Sequence, residues 1–355
     1  MSAESTSSTD PSATPARKIA AGYAVEGQAL ELGTVVVDGT TDTAAQIRIP
    51  LATVNRHGLV AGATGTGKTK TLQLLAEQLS SAGVPVLMAD VKGDLSGLAR
   101  PGQGSDKITA RAKETGDPWD ATAFPVEFFS LGTSGVGVPI RATIAGFGPI
   151  LLSKVLGLNT TQESTLGLIF HWAQQQNLPL LDLKDLRAVI SHLTSDEGKA
   201  ELKTLGGVSV ATAGVILRTL VNLEAEGANT FFGEPELDPK DLVRVDDHGR
   251  GIISLLELGD QAARPVLFST FLMWLLSELF KFMPEIGDVD KPRLVFVFDE
   301  AHLLFTDASK AFLEQVEQTA KLIRSRGVGV FFCTQLPTDV PNDVLSQLGA
   351  RIQHA

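Results

Sequence analysis

Apolar runs and helix-spaced apolar positions alternate along this chain. Near the start, "LELGTVVVDG" and "AAQIRIP" alternate apolar and polar residues and are rich in β-branched side chains, which predicts two strands joined by a turn at "DGTTD". "HGLVAG" then reads as a short buried strand feeding a glycine loop. The following "KTKTLQLLAEQLSSAG" places Leu72, Leu75, Ala76 and Leu79 at helical spacing, with Gly83 as the stop signal. "VPVLMAD" is a further buried strand ending in Asp90.

Residues 98–262 alternate polar, turn-rich stretches with mixed elements. "VEFFSLG", "VPIRATI" and "RGIISLLEL" predict strands; "TQESTLGLIFHWAQQQN" and "LKDLRAVISHL" predict helices. The region reads as a largely helical insertion between two halves of a core. A long apolar helix from Pro265 and the strand "RLVFVFDE" resume that core. The next helix, near Ser309–Arg326, has Phe312, Val316, Ala320 and Ile323 on one face and ends at Gly327. "VGVFFCTQ" and the final "ARIQHA" predict two more strands. The expected division is a disordered tail over 1–18, a short β segment over 19–54, a first core part over 55–97, the insertion over 98–262 and a second core part over 263–355. The abrupt last strand suggests a chain truncated at its C-terminus.

Composition narrows the class. Of the 355 residues, 43% are hydrophobic and 20% charged, the balance of a globular protein with a large core. The net charge of -11 argues against a broadly basic surface that coats nucleic acid, and leaves open a motor that grips a strand through a few basic loops. A single cysteine, Cys333, excludes an internal disulfide, and its apolar surroundings predict an inert buried thiol. The Ser/Thr/Pro-rich start lacks the apolar stretch of a signal peptide. The run from Pro265 falls short of the ~20 apolar residues of a spanning helix and carries Ser269, Thr270, Ser277 and Glu278. A buried core helix, no membrane insertion and a cytoplasmic location are expected.

The chemistry sits in three places. Residues Gly62, Ala63, Thr64, Gly65, Thr66, Gly67, Lys68 and Thr69 meet the pattern G-x-x-x-x-G-K-[ST], between a strand and a helix. Backbone N–H groups of such a loop, with Lys70 following, cradle phosphates at a helix N-terminus; Lys68 reaches the β- and γ-phosphates and Thr69 coordinates Mg²⁺. In "LVFVFDEAH", Asp299 leaves the carboxyl end of a buried strand, where open α/β sheets bind ligands, and predicts the second magnesium ligand. Glu300 beside it can deprotonate a water, as a hydrolase requires. Gln335, ending the next strand, either senses the γ-phosphate or merely forms a turn. Asp90 and Asp94 either face the site or serve a turn. Arg324 and Arg326 either complement a helix dipole or supply a finger to a neighbouring subunit's γ-phosphate. The absence of an N-K-x-D motif favours ATP over GTP, and the histidines show no metal spacing.

"RHGLVAGATGTGKT", "VLMADVKGDLSG", "LVFVFDEAH" and "VFFCTQLPTDVP", in this order, make the chain resemble the HerA/FtsK class of P-loop ATPases, specifically the bacterial HerA-like helicase group. The resemblance implies an α/β, RecA-like fold with a mostly parallel sheet flanked by helices, ATP and Mg²⁺ as cofactors, a hexameric homo-oligomer, movement along duplex DNA and a nuclease or other protein partner. Leu336 stands where many relatives carry Arg. An LSGGQ signature is missing, and "DEAH" here is not followed by a second motor domain. Two functions remain open: a ring ATPase that moves DNA, and an ATP-driven switch or assembly factor that acts on a protein.

Overall fold

The computed structural model describes residues 14–131, 136–204, 207–258, 265–287, 289–305 and 310–355. Two sheets form. β1 (Ala29–Val37) and β2 (Thr40–Pro50) make an antiparallel hairpin whose last pair is Val37 with Thr40. The two residues between them, Asp38 and Gly39, both have positive φ, the two-residue turn that matches strand twist. The helix Pro15–Ala21 packs on this hairpin. Part of the expected tail is therefore ordered: Pro15 starts the helix, the Thr14 hydroxyl caps it by accepting from Arg17 N, and Arg17 pairs with Asp42 at 3.1 Å. The rest of that tail, 1–13, lies outside the described residues.

The main sheet has eight strands: β3 (Gly58–Ala61), β4 (Val86–Asp90), β5 (Val126–Leu131), β6 (Val138–Ile140), β7 (Ile253–Glu257), β8 (Leu294–Phe298), β9 (Val328–Thr334) and β10 (Ala350–Gln353). Their order is β10-β3-β9-β8-β4-β7-β5-β6, and every pairing is parallel. Successive residues point to opposite faces, and in β3, β4, β7, β8 and β9 both faces are covered, which is why these strands read as continuous apolar runs. On one face Val60, Met88, Val297 and Cys333 pack with Leu72, Leu75, Ala76 and Leu79 of the helix Lys68–Ser81. On the other, Leu59, Ala89, Phe298 and Phe332 join a larger core built from the helices Thr160–Gln175, Leu183–Thr194, Val210–Ala225, Pro265–Phe282 and Lys310–Ile323. Phe271, Trp274 and Leu275 are fully buried there, so the apolar run from Pro265 is a core helix. No helix among the described residues is long and apolar enough to cross a membrane.

One expectation needs correction. Residues 98–262 are not simply an insertion, because they supply β5, β6 and β7, and β7 lies directly against β4. The helices Thr160–Gln175, Leu183–Thr194 and Val210–Ala225, between β6 and β7, pack into the core on one face of that sheet. A strand's apolar pattern shows that it is buried but not which neighbour it pairs with, and parallel pairing tolerates long crossovers. The sheet was therefore divided at the wrong place.

Candidate nucleotide site

Parallel pairing puts the carboxyl ends of β3, β4, β8 and β9 along one edge, and the predicted motifs leave the sheet there. The loop after β3 turns through Gly65 and Gly67, with φ of 80° and 102°. Gly67 begins the 14-residue helix Lys68–Ser81 without a side-chain cap, so the helix N-terminus presents N–H groups to the loop. A Cβ at Gly62 would come within 2.5 Å of the His354 Cβ, so a bare backbone is required there too. Lys68 Nζ reaches back over the loop to the carbonyls of Gly62 (2.7 Å) and Ala63 (3.0 Å). Ala63, Thr64 and Gly65 form the exposed tip, while the Lys70 ammonium turns away along the helix to Gln73.

Asp299 and Glu300 follow β8 and are both buried. Burial pushes the Asp299 carboxyl above the usual carboxylate range, opposed by a hydrogen bond from the Cys333 thiol and one from Glu300 N at 2.9 Å. Burial likewise raises the Cys333 thiol, so this cysteine stays protonated and serves as a donor to Asp299. Glu300 has φ of 49°, a left-handed backbone that costs a non-glycine residue roughly 1–3 kcal/mol. Its carboxylate meets Lys92, whose ammonium forms an ion pair with Oε1, and His302, whose Nδ1 lies 3.3 Å from Oε2.

The loop after β4 joins the two halves of the site. Asp90 is fully buried and holds the loop, its Oδ1 accepting from Lys92 N (3.2 Å) and Gly93 N (2.8 Å) and its Oδ2 from Leu95 N (3.0 Å). Asp94 instead faces the phosphate loop and accepts from the Thr69 hydroxyl at 3.3 Å. Of the two aspartates weighed from the sequence, Asp90 organises the turn and Asp94 reaches the site. Gln335 is exposed at the end of β9, next to Thr334, whose carbonyl accepts from Gly62 N at 3.3 Å.

The two arginines lie elsewhere. Arg324 and Arg326 precede β9 and therefore sit at the amino edge of the sheet, one seven-residue strand away from the phosphate loop. That strand spans roughly 20 Å, so neither arginine reaches the site of its own chain. A finger acting within one chain is therefore excluded, because the helix Lys310–Ile323 returns the chain to the amino edge before β9 begins. Arg326 is engaged locally, donating to the Met283 carbonyl and lying 4.4 Å from the Phe280 ring centre. Arg324 is exposed.

Sequence reasoning missed two residues. Lys92 lies inside "DVKGD", where the aspartates alone carry a recognisable pattern. His354 lies far along the chain, yet its Nδ1 is 3.1 Å from the Thr66 carbonyl and its Nε2 is 3.1 Å from the Thr71 hydroxyl. No short-range pattern marks His354; the pairing of β10 with β3 brings it there. The donors fit a hard cation: the Thr69 hydroxyl and the carboxylates of Asp94 and Asp299 are all oxygen. Among the described residues no cluster of three or more His, Cys, Asp or Glu could hold a metal ion.

Comparison with known proteins bears on the fold and the family. The bacterial conjugative coupling protein TrwBdeltaN70 is 16% identical over 94% of this chain and 73% of that one, with a TM-score of 0.57. TrwB in complex with ADP and Mg²⁺ is 17% identical over 93% and 74%, with a TM-score of 0.56. VirB4 of Thermoanaerobacter pseudethanolicus is 15% identical over 93% and 84%, with a TM-score of 0.57. These likenesses establish a RecA-like P-loop fold. A search of curated proteins finds no match. The family model described as "Helicase HerA-like C-terminal" matches residues 36–355, and the chain belongs to that family.

Proposed function

We propose that the chain is a Mg²⁺-dependent ATP hydrolase of the HerA/FtsK type, acting in the cytoplasm as a ring of like subunits that moves duplex DNA. The observation that carries the hydrolase reading is Glu300, buried and backbone-strained beside Asp299 on the same sheet edge as the glycine loop. The TrwB structures with ADP and Mg²⁺ and with an ATP analogue support ATP as the nucleotide.

In this reading the N–H groups of Gly62–Lys70 and the Lys68 ammonium bind the β- and γ-phosphates. Thr69 and Asp299, with Asp94 beside them, hold magnesium, which neutralises phosphate charge when bound. Glu300 takes the proton from a water directed at the γ-phosphorus, giving ADP and inorganic phosphate. Gln335, at the end of β9, registers loss of the γ-phosphate in this reading. Family membership favours DNA as the moved polymer. The net charge of -11 favours the alternative, an ATP-driven switch or assembly ATPase that acts on a protein partner without nucleic acid.

ATP turnover measured with and without duplex DNA, at two salt concentrations, tests the reading. Glu300→Gln is expected to keep nucleotide binding and lose roughly 10²–10⁴ in turnover, the contribution of a positioned base. Duplex DNA is expected to stimulate the unaltered protein, less so at high salt. Turnover surviving in Glu300→Gln rejects the base, and indifference to DNA favours the protein-partner reading.

A further inference from the structure

We infer that Lys92 is a sensor of the γ-phosphate, clamping Glu300 until a terminal phosphate draws its ammonium away. The inference rests on the reading of Glu300 as the general base and adds a control to it. The backbone beneath Lys92 is fixed by three hydrogen bonds to the buried Asp90, while the side chain is 52% exposed. A pinned backbone with a half-solvated side chain lets the ammonium swing without rebuilding the loop. The same loop touches the phosphate site, since Asp94, two residues on, bonds the Thr69 hydroxyl at 3.3 Å.

At its other side the loop holds the base. The Lys92 ammonium is paired with Glu300 Oε1, and the Glu300 side chain is only 8% exposed. An ammonium on Oε1 keeps water off that oxygen and lowers the basicity of the whole carboxylate, so Glu300 is a weaker base while the pair is closed. The water that Glu300 must deprotonate lies between it and the γ-phosphorus, so an ammonium resting on Glu300 is within a side-chain swing of that phosphate. A γ-phosphate carries more charge than a carboxylate and presents several acceptor oxygens. It therefore competes for Lys92, and its arrival both occupies the lysine and frees the base. ADP offers no group at that position and leaves the clamp closed.

The test is a binding cycle on the whole chain, by calorimetric titration with Mg²⁺ and either ADP or β,γ-imido-ATP. Lys92→Met is expected to weaken the analogue roughly tenfold, the scale of one charge-assisted hydrogen bond, and to leave ADP within about twofold. Glu300→Gln is expected to tighten the analogue, because the competitor for Lys92 has lost its charge. Adding Lys92→Met to Glu300→Gln should abolish that gain. An unchanged ratio of analogue to ADP affinity in Lys92→Met overturns the proposal, as does a double variant that binds the analogue as tightly as Glu300→Gln alone. Thermal melts check folding. Should Lys92→Met leave the buried Glu300 uncompensated and unfold the protein, the double variant carries neither charge and its comparison with Glu300→Gln decides the matter. Hydrolysis does not enter the cycle, so failure of the base reading, seen as intact turnover in Glu300→Gln, is distinct from failure of the clamp.

Discussion

Under the proposed function, Lys68, Asp94 and Glu300 divide the work of the site between single side chains. The Lys68 ammonium makes its bonds to carbonyls of its own loop, at Gly62 and Ala63, and supports no packed element. Lys68→Ala is therefore expected to abolish nucleotide binding while changing stability by about 1 kcal/mol or less, since it removes no buried apolar contact. Titration with an ATP analogue, beside a thermal melt, checks both halves; unchanged affinity in the folded variant rejects the phosphate role. Glu300 differs because it is buried, strained and paired with Lys92, so its chemistry and its local structure are linked. The glycine-loop pattern and the Asp-Glu pair were legible from the sequence because their spacing carries the chemistry. The division of labour between Asp90 and Asp94 was not. Two aspartates four residues apart look alike until the loop closes, and then one accepts three N–H bonds while the other meets Thr69.

Among the elements, β3, β9 and the helix Lys310–Ile323 are joined at the amino edge by a buried histidine. His57 Nε2 lies 2.7 Å from the Ala320 carbonyl, and its Nδ1 accepts from Val330 N at 3.0 Å. These partners require a neutral ring, protonated on Nε2 alone. Burial lowers the His57 pKa below its ordinary value, the Ala320 hydrogen bond opposes this, and the Arg324 charge lowers it further. The unfolded chain then binds the proton more readily than the folded one. His57 thus contributes stability that is full above about pH 6.5 and is lost as the pH falls towards the lower folded value. Asp299 works in the opposite sense, because its raised carboxyl favours the acidic side. Urea unfolding of the native protein and of His57→Gln, between pH 8 and pH 5, isolates the histidine. The native midpoint is expected to fall more steeply below about pH 6.5 than that of the variant, which cannot titrate there. Parallel slopes in the two proteins would contradict the assignment.

For the whole molecule, the sheet has two unlike edges: a phosphate edge with Lys68 and Glu300, and an amino edge with His57 and Arg324. A ring built head to tail joins unlike surfaces of successive subunits. Arg324 cannot reach the phosphate loop of its own chain, but it is exposed and can serve a neighbour's. Arg326, held by Met283 and Phe280, is expected to act through stability instead. An arginine supplied in trans can contribute ~10³–10⁵ in rate in other P-loop enzymes. Lys68→Ala subunits mixed with Arg324→Ala subunits are expected to recover turnover above either alone, because an intact arginine from the first meets an intact phosphate site on the second. Mixtures that remain inactive while subunits demonstrably exchange dispose of the trans role.

The sequence by itself determined the strands, the phosphate loop and the acidic pair, because each rests on local rules. Apolar runs mark buried strands, and glycine, lysine and threonine at fixed spacing mark a phosphate cradle. The likeness to HerA-type ATPases rested on the same local segments. Tertiary structure alone decided where β5, β6 and β7 join the sheet, that Arg324 and Arg326 lie at the edge opposite the glycine loop, and that His354 packs on that loop while Lys92 pairs with Glu300. Each of these depends on strand order and crossover direction, and so on contacts between residues up to hundreds of positions apart. Lys92 meets Glu300, and His354 meets Thr66, only because the strands that carry them share one edge of one parallel sheet.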